Sequence, residues 1–360
     1  MAAPPDDRCA RIACSAWLGD EPRDLVDLGR GGFSGSAVFA VQAAAGRFVL
    51  KAFPVGTAAD RAAWVHRLMR HLRQAGVAEI PEPQTTPAGE TLVADPWGRL
   101  WELVAHVAGT AVAAPTAAQA AAACAALARV HRAAATLPHM PPRVGPAPGM
   151  LRRISRAEAL LAAPWSPRRG LRAGDAADPL ADALRPRLAR AIALFESGGQ
   201  RGLTRLAALQ PPTLSVQAVL RDVWAEHVLF APDPLPRFAG FIDLHAAGAD
   251  SPVADLARLL GSWLSPAGSS GGLLDRWVGA LAAYEAERPL HDAERRAIPA
   301  WHAAGVVFGL DNWFQWILDE RRVFTHPEAV LGRVDRLLED LPQALETLAT
   351  IGPIGELRPV

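Results

Sequence analysis

The fold is decided by the stretch Leu28-Gly29-Arg30-Gly31-Gly32-Phe33-Ser34-Gly35-Ser36, the densest glycine cluster beside a strand-like segment. Glycines let a backbone approach phosphate groups closely and adopt positive φ angles at little steric cost. A tight turn without any ligand explains such a cluster about equally well. The segments that follow the cluster decide between a phosphate-binding loop and a plain turn. Two β-like segments follow, at 37–41 and 47–53, joined by a hairpin-length connection at 42–46. A dinucleotide-binding fold or a P-loop requires a helix directly after the glycine loop, and this order excludes both.

Lys51 lies late in the second of these segments and is the one lysine of the chain. A glycine turn between strands, followed by a lysine on the next strand, is typical of kinases, where the lysine reaches the α- and β-phosphates of ATP. The alternative is a lysine at a fraying strand end. From residue 58 to 75 the spacing of apolar residues predicts a helix, and Gly76 ends it.

Composition limits the classes of partner. Lys plus Arg and Asp plus Glu are 37 each, so no overall field favours nucleic acid or an anionic membrane. The first residues lack the pattern of a signal peptide, and no apolar stretch approaches the roughly 20 residues that span a bilayer. Three cysteines (Cys9, Cys14 and Cys124) show no metal-ligand spacing and cannot all pair. We therefore expect a cytoplasmic protein, a monomer or homodimer, that binds neither nucleic acid nor membrane.

The distribution of predicted elements indicates two lobes. Strand candidates at 91–94 and 100–107 complete a small β-rich N-terminal lobe, and the sequence after it is mainly helical. A proline-rich stretch at 138–148 breaks regular structure and is interpreted as a loop inside the second lobe. We predict an N-terminal nucleotide-binding lobe at 1–104 and a C-terminal catalytic and substrate lobe at 105–360, an α+β fold. Predicted helices lie at 8–17, 117–135, 151–162, 179–197, 273–287, 298–323 and 327–350.

Two acidic residues follow apolar segments of the second lobe. Asp222 lies in Val219-Leu220-Arg221-Asp222-Val223-Trp224-Ala225-Glu226-His227-Val228-Leu229-Phe230, and Asp243 follows Gly240-Phe241-Ile242. Phosphoryl transfer needs an acid oriented to the attacking hydroxyl and an acid that holds Mg²⁺ against the phosphates. Isolated acids at such positions are more often helix caps or turn residues. Their joint spacing after the glycine turn and lysine favours the catalytic interpretation.

The ordered set of motifs resembles the aminoglycoside phosphotransferase and choline-kinase-like superfamily, the small-molecule branch of the protein-kinase-like fold. The resemblance runs from about Leu28 to about Leu338. It rests on Gly-Gly-Phe-Ser-Gly at 31–35, Val-Leu-Lys at 49–51, Leu-Val-Ala-His-Val-Ala-Gly at 103–109, Ala-Leu-Ala-Arg-Val-His at 126–131, the segment 221–230, Phe-Ile-Asp at 241–243, and Asp250, Pro252 and Asp255-Leu256-Ala257.

The resemblance implies a two-lobed kinase-like enzyme that transfers the γ-phosphate of ATP to a hydroxyl of a small molecule, such as a sugar, an amino alcohol or an aminoglycoside-like acceptor. Asp222 would be the catalytic acid, Asp243 the Mg²⁺ ligand, and Asp255 a structural acid that braces the catalytic loop. The nucleotide would contact Gly31, Gly32, Ser34, Gly35, Lys51, Val104 and His106. The acceptor would contact Asp311, Asn312 and Trp316 on a late helix.

Two departures from the family pattern stand out. His227 replaces the asparagine that would bind a second metal, and imidazole is a better ligand for Mn²⁺ or Zn²⁺ than for Mg²⁺. The site could run on one metal, His227 could orient Asp222 or the substrate, or transfer could be lost, which would leave a pseudokinase that binds a nucleotide or a partner. The predicted helix after Lys51 also lacks the usual glutamate partner of the lysine, for which Glu79 and Glu102 are the candidates. We expect a working site with Mg²⁺, or with Mn²⁺ through His227.

Overall fold

The structure is a computed structural model that describes residues 7–31, 35–165, 179–231, 237–264, 271–324 and 326–354. These residues divide into two compact units. The first unit is drawn from Met1–Met140, Asp222–Ala247 and Gly279–Arg288, and the second from Pro141–Arg221, Gly248–Val278 and Pro289–Val360.

Strands and helices are distributed unevenly between the units. The strands are β1 Asp24–Gly31, β2 Ser36–Ala43, β3 Gly46–Ala52, β4 Leu92–Ala94, β5 Leu100–Ala105, β6 Thr110–Ala111, β7 Arg143–Pro146, β8 Thr213–Val219, β9 Val228–Phe230, β10 Phe238–Phe241 and β11 Gly248–Asp250. The helices are α1 Asp7–Leu18, α2 Ala59–Gln74, α3 Ala117–Ala134, α4 Pro148–Ala162, α5 Pro179–Leu194, α6 Gln200–Ala207, α7 Val253–Ser262, α8 Leu273–Arg276, α9 Val278–Glu287, α10 Asp292–Phe314 and α11 Pro327–Ala349.

A five-stranded antiparallel sheet forms the N-terminal part of the first unit, in the order β1-β2-β3-β5-β4. The β2–β3 hairpin is closed by a two-residue turn after Ala43, which pairs with Gly46. Alternating side chains of these strands, such as Phe39 and Leu50, are buried in one apolar cluster with Trp17 of α1. The predicted hairpin is confirmed, and its register places Lys51 directly opposite Glu102 of β5.

The first unit also holds a short sheet that continues into the proposed catalytic segment. Its order is β10-β9-β6. The loop that carries Asp222 precedes β9, and the loop that carries Asp243 follows β10. In the second unit β8 lies between β7 and β11, and the remaining elements there are helices.

Most predicted elements are present, with three differences. The proline-rich stretch at 138–148 contains β7, which pairs with the edge of β8, and α4 already begins at Pro148 because proline suits the first turn of a helix. The segment predicted as one helix at 273–287 is two helices, α8 and α9. The helix predicted at 298–323 begins earlier, at Asp292, and after Phe314 continues only as a short π-helical turn, Gln315–Asp319. Each helix in the described part of the chain is too short or too polar to span a bilayer.

Candidate active site

Lys51 and Asp243 form an ion pair within the first unit. The ammonium Nζ of Lys51 lies 2.7 Å from Asp243 Oδ1, and Lys51 is only 8% exposed. Burial by itself would raise the pKa of the Asp243 carboxyl, but the charge of Lys51 and its hydrogen bond outweigh this effect and hold the pKa below its ordinary value. Asp243 is therefore an anion that lies against the single lysine of the chain.

The backbone at Asp243 is left-handed, with φ 56° and ψ 60°. Ile242, the residue before it, donates its N–H to the carbonyl of His227, and a 3₁₀ turn, Leu244–Ala246, begins directly after it. This conformation is uncommon outside glycine, although aspartate and asparagine tolerate it better than other residues. The residue that presents its carboxylate to Lys51 thus leads directly into a turn.

Asp222 is held by two neighbours from its own loop. Trp224 donates its indole Nε1–H to Asp222 Oδ1 at 2.7 Å, and His227 Nδ1 lies 2.7 Å from the Asp222 carbonyl oxygen. A carbonyl only accepts hydrogen bonds, so His227 must carry a proton on Nδ1. The other ring nitrogen, Nε2, lies 4.0 Å from Asp243 Oδ2. His227 therefore lies between the two predicted acids.

A cavity of about 320 Å³ in the first unit is lined by residues from several segments of the sequence. Its lining includes Ser36, Lys51, Phe53, Thr57, Arg61, Asp222, Asp243 and His245. The three residues predicted for phosphate binding, proton transfer and metal binding thus share one cavity.

Asp255 braces the residues that lead into Asp222. Its carboxylate is fully buried and accepts the N–H groups of Leu220 at 2.8 Å and Arg221 at 2.6 Å, all within the second unit. Arg221 has a φ of 68°, which is unfavourable for a residue with a Cβ atom. Charge-assisted hydrogen bonds to two successive N–H groups offset this cost and fix the backbone just before Asp222.

Neither glutamate considered for Lys51 forms an ion pair with it. Glu79 Oε1 binds Arg129 at 2.8 Å. Glu102 binds the imidazoles of His66 and His245, and these contacts, with the charge of His245 foremost, outweigh the effect of burial and lower the pKa of Glu102 far below its ordinary value. Among the described residues, the acid paired with Lys51 is Asp243.

The nucleotide-side candidates are described in part. Gly31 ends β1 and Gly35 has a positive φ of 74°, whereas Gly32 and Ser34 lie outside the described residues. Val104 pairs with Val49 of β3. His106 donates its N–H to the Arg47 carbonyl at 3.1 Å, and burial together with the nearby charge of Arg47 lowers the pKa of its side chain. Their contacts with a nucleotide remain predictions.

The three acceptor candidates lie at the end of α10 and in the π-helical turn, in the second unit. Asp311 accepts hydrogen bonds from Arg156 at 2.8 Å and from the indole of Trp165 at 3.0 Å. Trp316 packs edge-on against Trp313, and the guanidinium of Arg322 lies over its ring. Asn312 is half-buried on α10. These contacts stabilise the local fold, and a role toward the acceptor remains a prediction.

Asp243 lies near side chains that could contribute ligands to a metal ion. Asp222 Oδ2 lies 3.9 Å from His227 Nδ1 and Asp243 Oδ2 lies 4.0 Å from His227 Nε2, but among the described residues no group of three or more such side chains could hold a metal ion by itself. Carboxylate oxygens suit Mg²⁺, and the additional nitrogen suits a softer ion. The residues therefore fit a divalent ion that shares its coordination with the phosphates of a nucleotide.

Residues 28–290 match the model of the phosphotransferase enzyme family. The chain belongs to this family. Its curated relatives include the homoserine kinase of Xanthobacter autotrophicus, 28% identical over 301 residues that cover 83% of each chain, and the homoserine kinase of Phenylobacterium zucineum, 28% identical over 312 residues that cover 86% of this chain and 85% of the relative.

Solved structures of the same fold include a spectinomycin phosphotransferase in complex with ADP and spectinomycin, with a TM-score of 0.65, 11% identity and coverage of 97% of this chain and 99% of that one. An amicoumacin kinase in complex with AMP-PNP, Ca²⁺ and Ami has a TM-score of 0.61 at 14% identity, with coverage of 98% of this chain and 95% of that one. The predicted α+β kinase-like fold, β-rich in its N-terminal part and mainly helical in its C-terminal part, is confirmed.

The family also confirms the predicted activity class. This phosphotransferase is an ATP-dependent small-molecule kinase. Sequence reasoning did not predict the hydrogen bond from Trp224 to Asp222, the contacts of Arg61, or the pairing of Glu102 with two histidines. Two signals for the Glu102 contacts were present in the sequence: Glu102 itself, a charged residue in an apolar strand, and His66, a histidine on the apolar face of a helix. Buried polar groups require partners, so each of these residues indicated that a partner exists.

Proposed function

We propose that the chain transfers the γ-phosphate of ATP to the hydroxyl group of a small amino alcohol or hydroxy amino acid of the homoserine type. The observation that carries this proposal is the convergence of Lys51, Asp222 and Asp243 on one cavity. The homoserine kinases that align over more than four fifths of both chains support the choice of acceptor.

We assign the proton transfer to Asp222. The acceptor oxygen attacks the γ-phosphorus, the bond from that phosphorus to the bridging oxygen of ADP breaks, and the hydroxyl proton passes to the Asp222 carboxylate. Trp224 donates its indole N–H to Oδ1 of this carboxylate and so orients it. His227, bound to the carbonyl of the same residue, fixes the loop behind it.

We assign charge stabilisation to Lys51 and Asp243. The ammonium of Lys51 would exchange Asp243 for the α- and β-phosphates of ATP, with Gly31, Gly32, Ser34 and Gly35 around the phosphates. Asp243, together with His227, would hold Mg²⁺ or Mn²⁺, which supplies positive charge against the transferred phosphoryl group. Preorganised charge of this kind is the main source of rate in phosphoryl transfer.

The organisation of the protein is part of the proposal. We propose an N-terminal nucleotide lobe at 1–104 and a C-terminal lobe at 105–360, in which Val104 and His106 contact adenine and Asp311, Asn312 and Trp316 contact the acceptor. We also propose a cytoplasmic monomer or homodimer without nucleic-acid or membrane partners, in line with the equal numbers of acidic and basic residues.

The test is steady-state transfer of radiolabelled γ-phosphate to homoserine, an amino alcohol, a sugar and an aminoglycoside, with Mg²⁺ or Mn²⁺. The matched variants are Asp222→Asn and Asp60→Asn, the latter on an exposed residue in the first turn of α2. We expect homoserine-type acceptors to be preferred, Asp222→Asn to lower turnover by about 10²–10⁴-fold, and Asp60→Asn to leave it unchanged. Equal turnover in Asp222→Asn and wild type would refute the assignment, and preference for a sugar or an aminoglycoside would refute the acceptor class.

A further inference from the structure

One buried carboxylate in the first unit holds two imidazoles. Glu102 is 3% exposed, its Oε2 lies 2.6 Å from His66 Nε2, and its Oε1 lies 2.7 Å from His245 Nε2. Within the part of the chain that the structure describes, the Nδ1 atom of His66 is buried without a hydrogen-bond partner. Glu102 therefore provides the polar contact that orients the His66 ring.

The three residues belong to three different elements around the site. His66 is on the buried face of α2, Glu102 is on β5, and His245 lies in the 3₁₀ turn two residues after Asp243. Glu102 is also directly opposite Lys51 in the β3–β5 register. A single carboxylate thus connects the helix, the strand beside the lysine, and the loop that presents Asp243.

Further contacts attach the same loop to α2 and to the residue that follows β3. Arg61 of α2 donates hydrogen bonds from its guanidinium to the carbonyls of His245, at 2.9 Å, and Ala247. The His245 ring packs edge-on against Phe53, which follows β3, with ring centroids 4.5 Å apart. Both His245 and Arg61 line the cavity that holds Lys51 and Asp243.

This arrangement connects α2 to the Asp243 loop without a glutamate on the helix. Both oxygens of Glu102 bind imidazoles, and Lys51 forms its ion pair with Asp243 instead. Asp243 has a left-handed backbone, which aspartate tolerates better than most residues, and contacts that fix the turn after it stabilise this conformation further. Mutation of a residue that hydrogen-bonds and orients a metal ligand typically lowers metal affinity or activity by about 10–100-fold.

We propose that Glu102 is a positioning residue that fixes the Asp243 loop against α2 and β5 through His245 and His66. The inference rests on the proposed function of Asp243 in binding a metal nucleotide. Glu102 does not touch the reacting atoms, and its role would be to join α2 to the loop that carries Asp243.

The test compares Glu102→Gln with the matched control Glu79→Gln, a partly buried glutamate of the same unit whose side chain binds Arg129. We measure kcat and KM for ATP, the half-saturating concentration of Mg²⁺ and Mn²⁺, and hydrogen–deuterium exchange of the peptide that contains 243–247. We expect Glu102→Gln to raise the half-saturating metal concentration about 10–100-fold and to speed exchange at 243–247. Glu79→Gln should match wild type in both measurements.

A second pair of variants separates positioning from simple packing. His245→Gln keeps a side-chain donor at the place of Nε2, whereas His245→Leu removes it. We expect metal half-saturation near wild type in the first and the Glu102→Gln value in the second, although both alter the packing against Phe53. Equal metal dependence in the two variants, or wild-type metal dependence and exchange in Glu102→Gln, would overturn the inference.

The proposed function and the inference give different patterns of failure. If Asp222→Asn retained turnover, or the wild type transferred no phosphate, the proposed function would be wrong. Hydrogen–deuterium exchange of residues 243–247 in Glu102→Gln would still show whether Glu102 fixes this loop. If Asp222→Asn were inactive and Glu102→Gln matched wild type in metal dependence and exchange, only the positioning role would be lost.

Discussion

Lys51 and Asp243 are 192 residues apart in the sequence, and their side chains form a 2.7 Å ion pair in the cavity of the first unit. This ion pair would break when a metal nucleotide binds, because the Lys51 ammonium would bind the phosphates and the Asp243 carboxylate would bind the metal. The pair therefore keeps two oppositely charged groups matched in the absence of ATP.

Because Lys51 is the one ε-amine in the chain, its reaction with an amine-selective acylating reagent can be followed by mass spectrometry of a single peptide. We expect ATP with Mg²⁺, at a hundredfold excess over its dissociation constant, to slow acylation by about 10–100-fold. Asp243→Asn should speed acylation of the nucleotide-free protein, since it removes the paired charge. Acylation of Lys51 at the same rate with and without ATP would contradict its role at the phosphates.

His227→Asn should change which metal supports transfer. The neutral amide oxygen suits Mg²⁺, whereas the imidazole nitrogen suits Mn²⁺. We expect the ratio of Mg²⁺-supported to Mn²⁺-supported kcat/KM to rise several-fold in the variant. Higher activity with an unchanged ratio would show that His227 does not act through the metal.

Asp255→Asn should destabilise the backbone before Asp222. The buried carboxylate accepts two N–H groups, and the loss of charge-assisted bonds at such a site costs about 1.5–3 kcal/mol of unfolding free energy. Urea denaturation of the variant gives this value directly. As a control, Asp335→Asn removes an ion pair with Arg187 from a half-exposed carboxylate and should cost about 1 kcal/mol or less.

Acid should weaken the second unit through His302 of α10. Burial, assisted by the charge of Arg276, lowers the pKa of His302 from 6.5 to about 4. The unfolded chain takes up this proton near pH 6.5 and the folded chain only near pH 4. The free energy of unfolding therefore falls as the pH drops through this window, by on the order of 2 kcal/mol at pH 5.

The measurement is the difference in unfolding free energy between pH 7 and pH 5 for wild type and His302→Gln. The loss should be smaller in the variant, which has no imidazole at this position. Asp340, whose pKa burial raises, contributes with the opposite sign in both proteins. An equal loss in the two proteins would show that His302 already takes up its proton at the ordinary pH when the chain is folded.

Local pattern was enough to predict the elements that carry the site. Periodicity and turn residues located the β2–β3 hairpin, α2 and the loops of Asp222 and Asp243, and the order of these parts indicated the fold. The ion pair of Lys51 was not predicted, because the usual partner would lie on α2 and the helix offers only Asp60 near its start.

The Glu102 network also escaped prediction. Its contacts join residues 36 and 143 positions apart, and no local pattern encodes such pairs. Each member alone resembles an ordinary buried polar residue: His66 lies among the apolar side chains of α2, and Glu102 lies between Trp101 and Leu103. Only the requirement that buried charges be paired pointed to a partner, and it did not say which one.

The left-handed backbone at Asp243 restricts which residues mutation can place there. Aspartate, asparagine and glycine accept this conformation readily, whereas other residues add a steric cost of about 1–2 kcal/mol to any change in charge. An alanine scan would therefore mix two effects at this position, and asparagine is the substitution that isolates the carboxylate. The same restriction acts on natural variation, since a single position must satisfy both the turn of the chain and the charge that it presents.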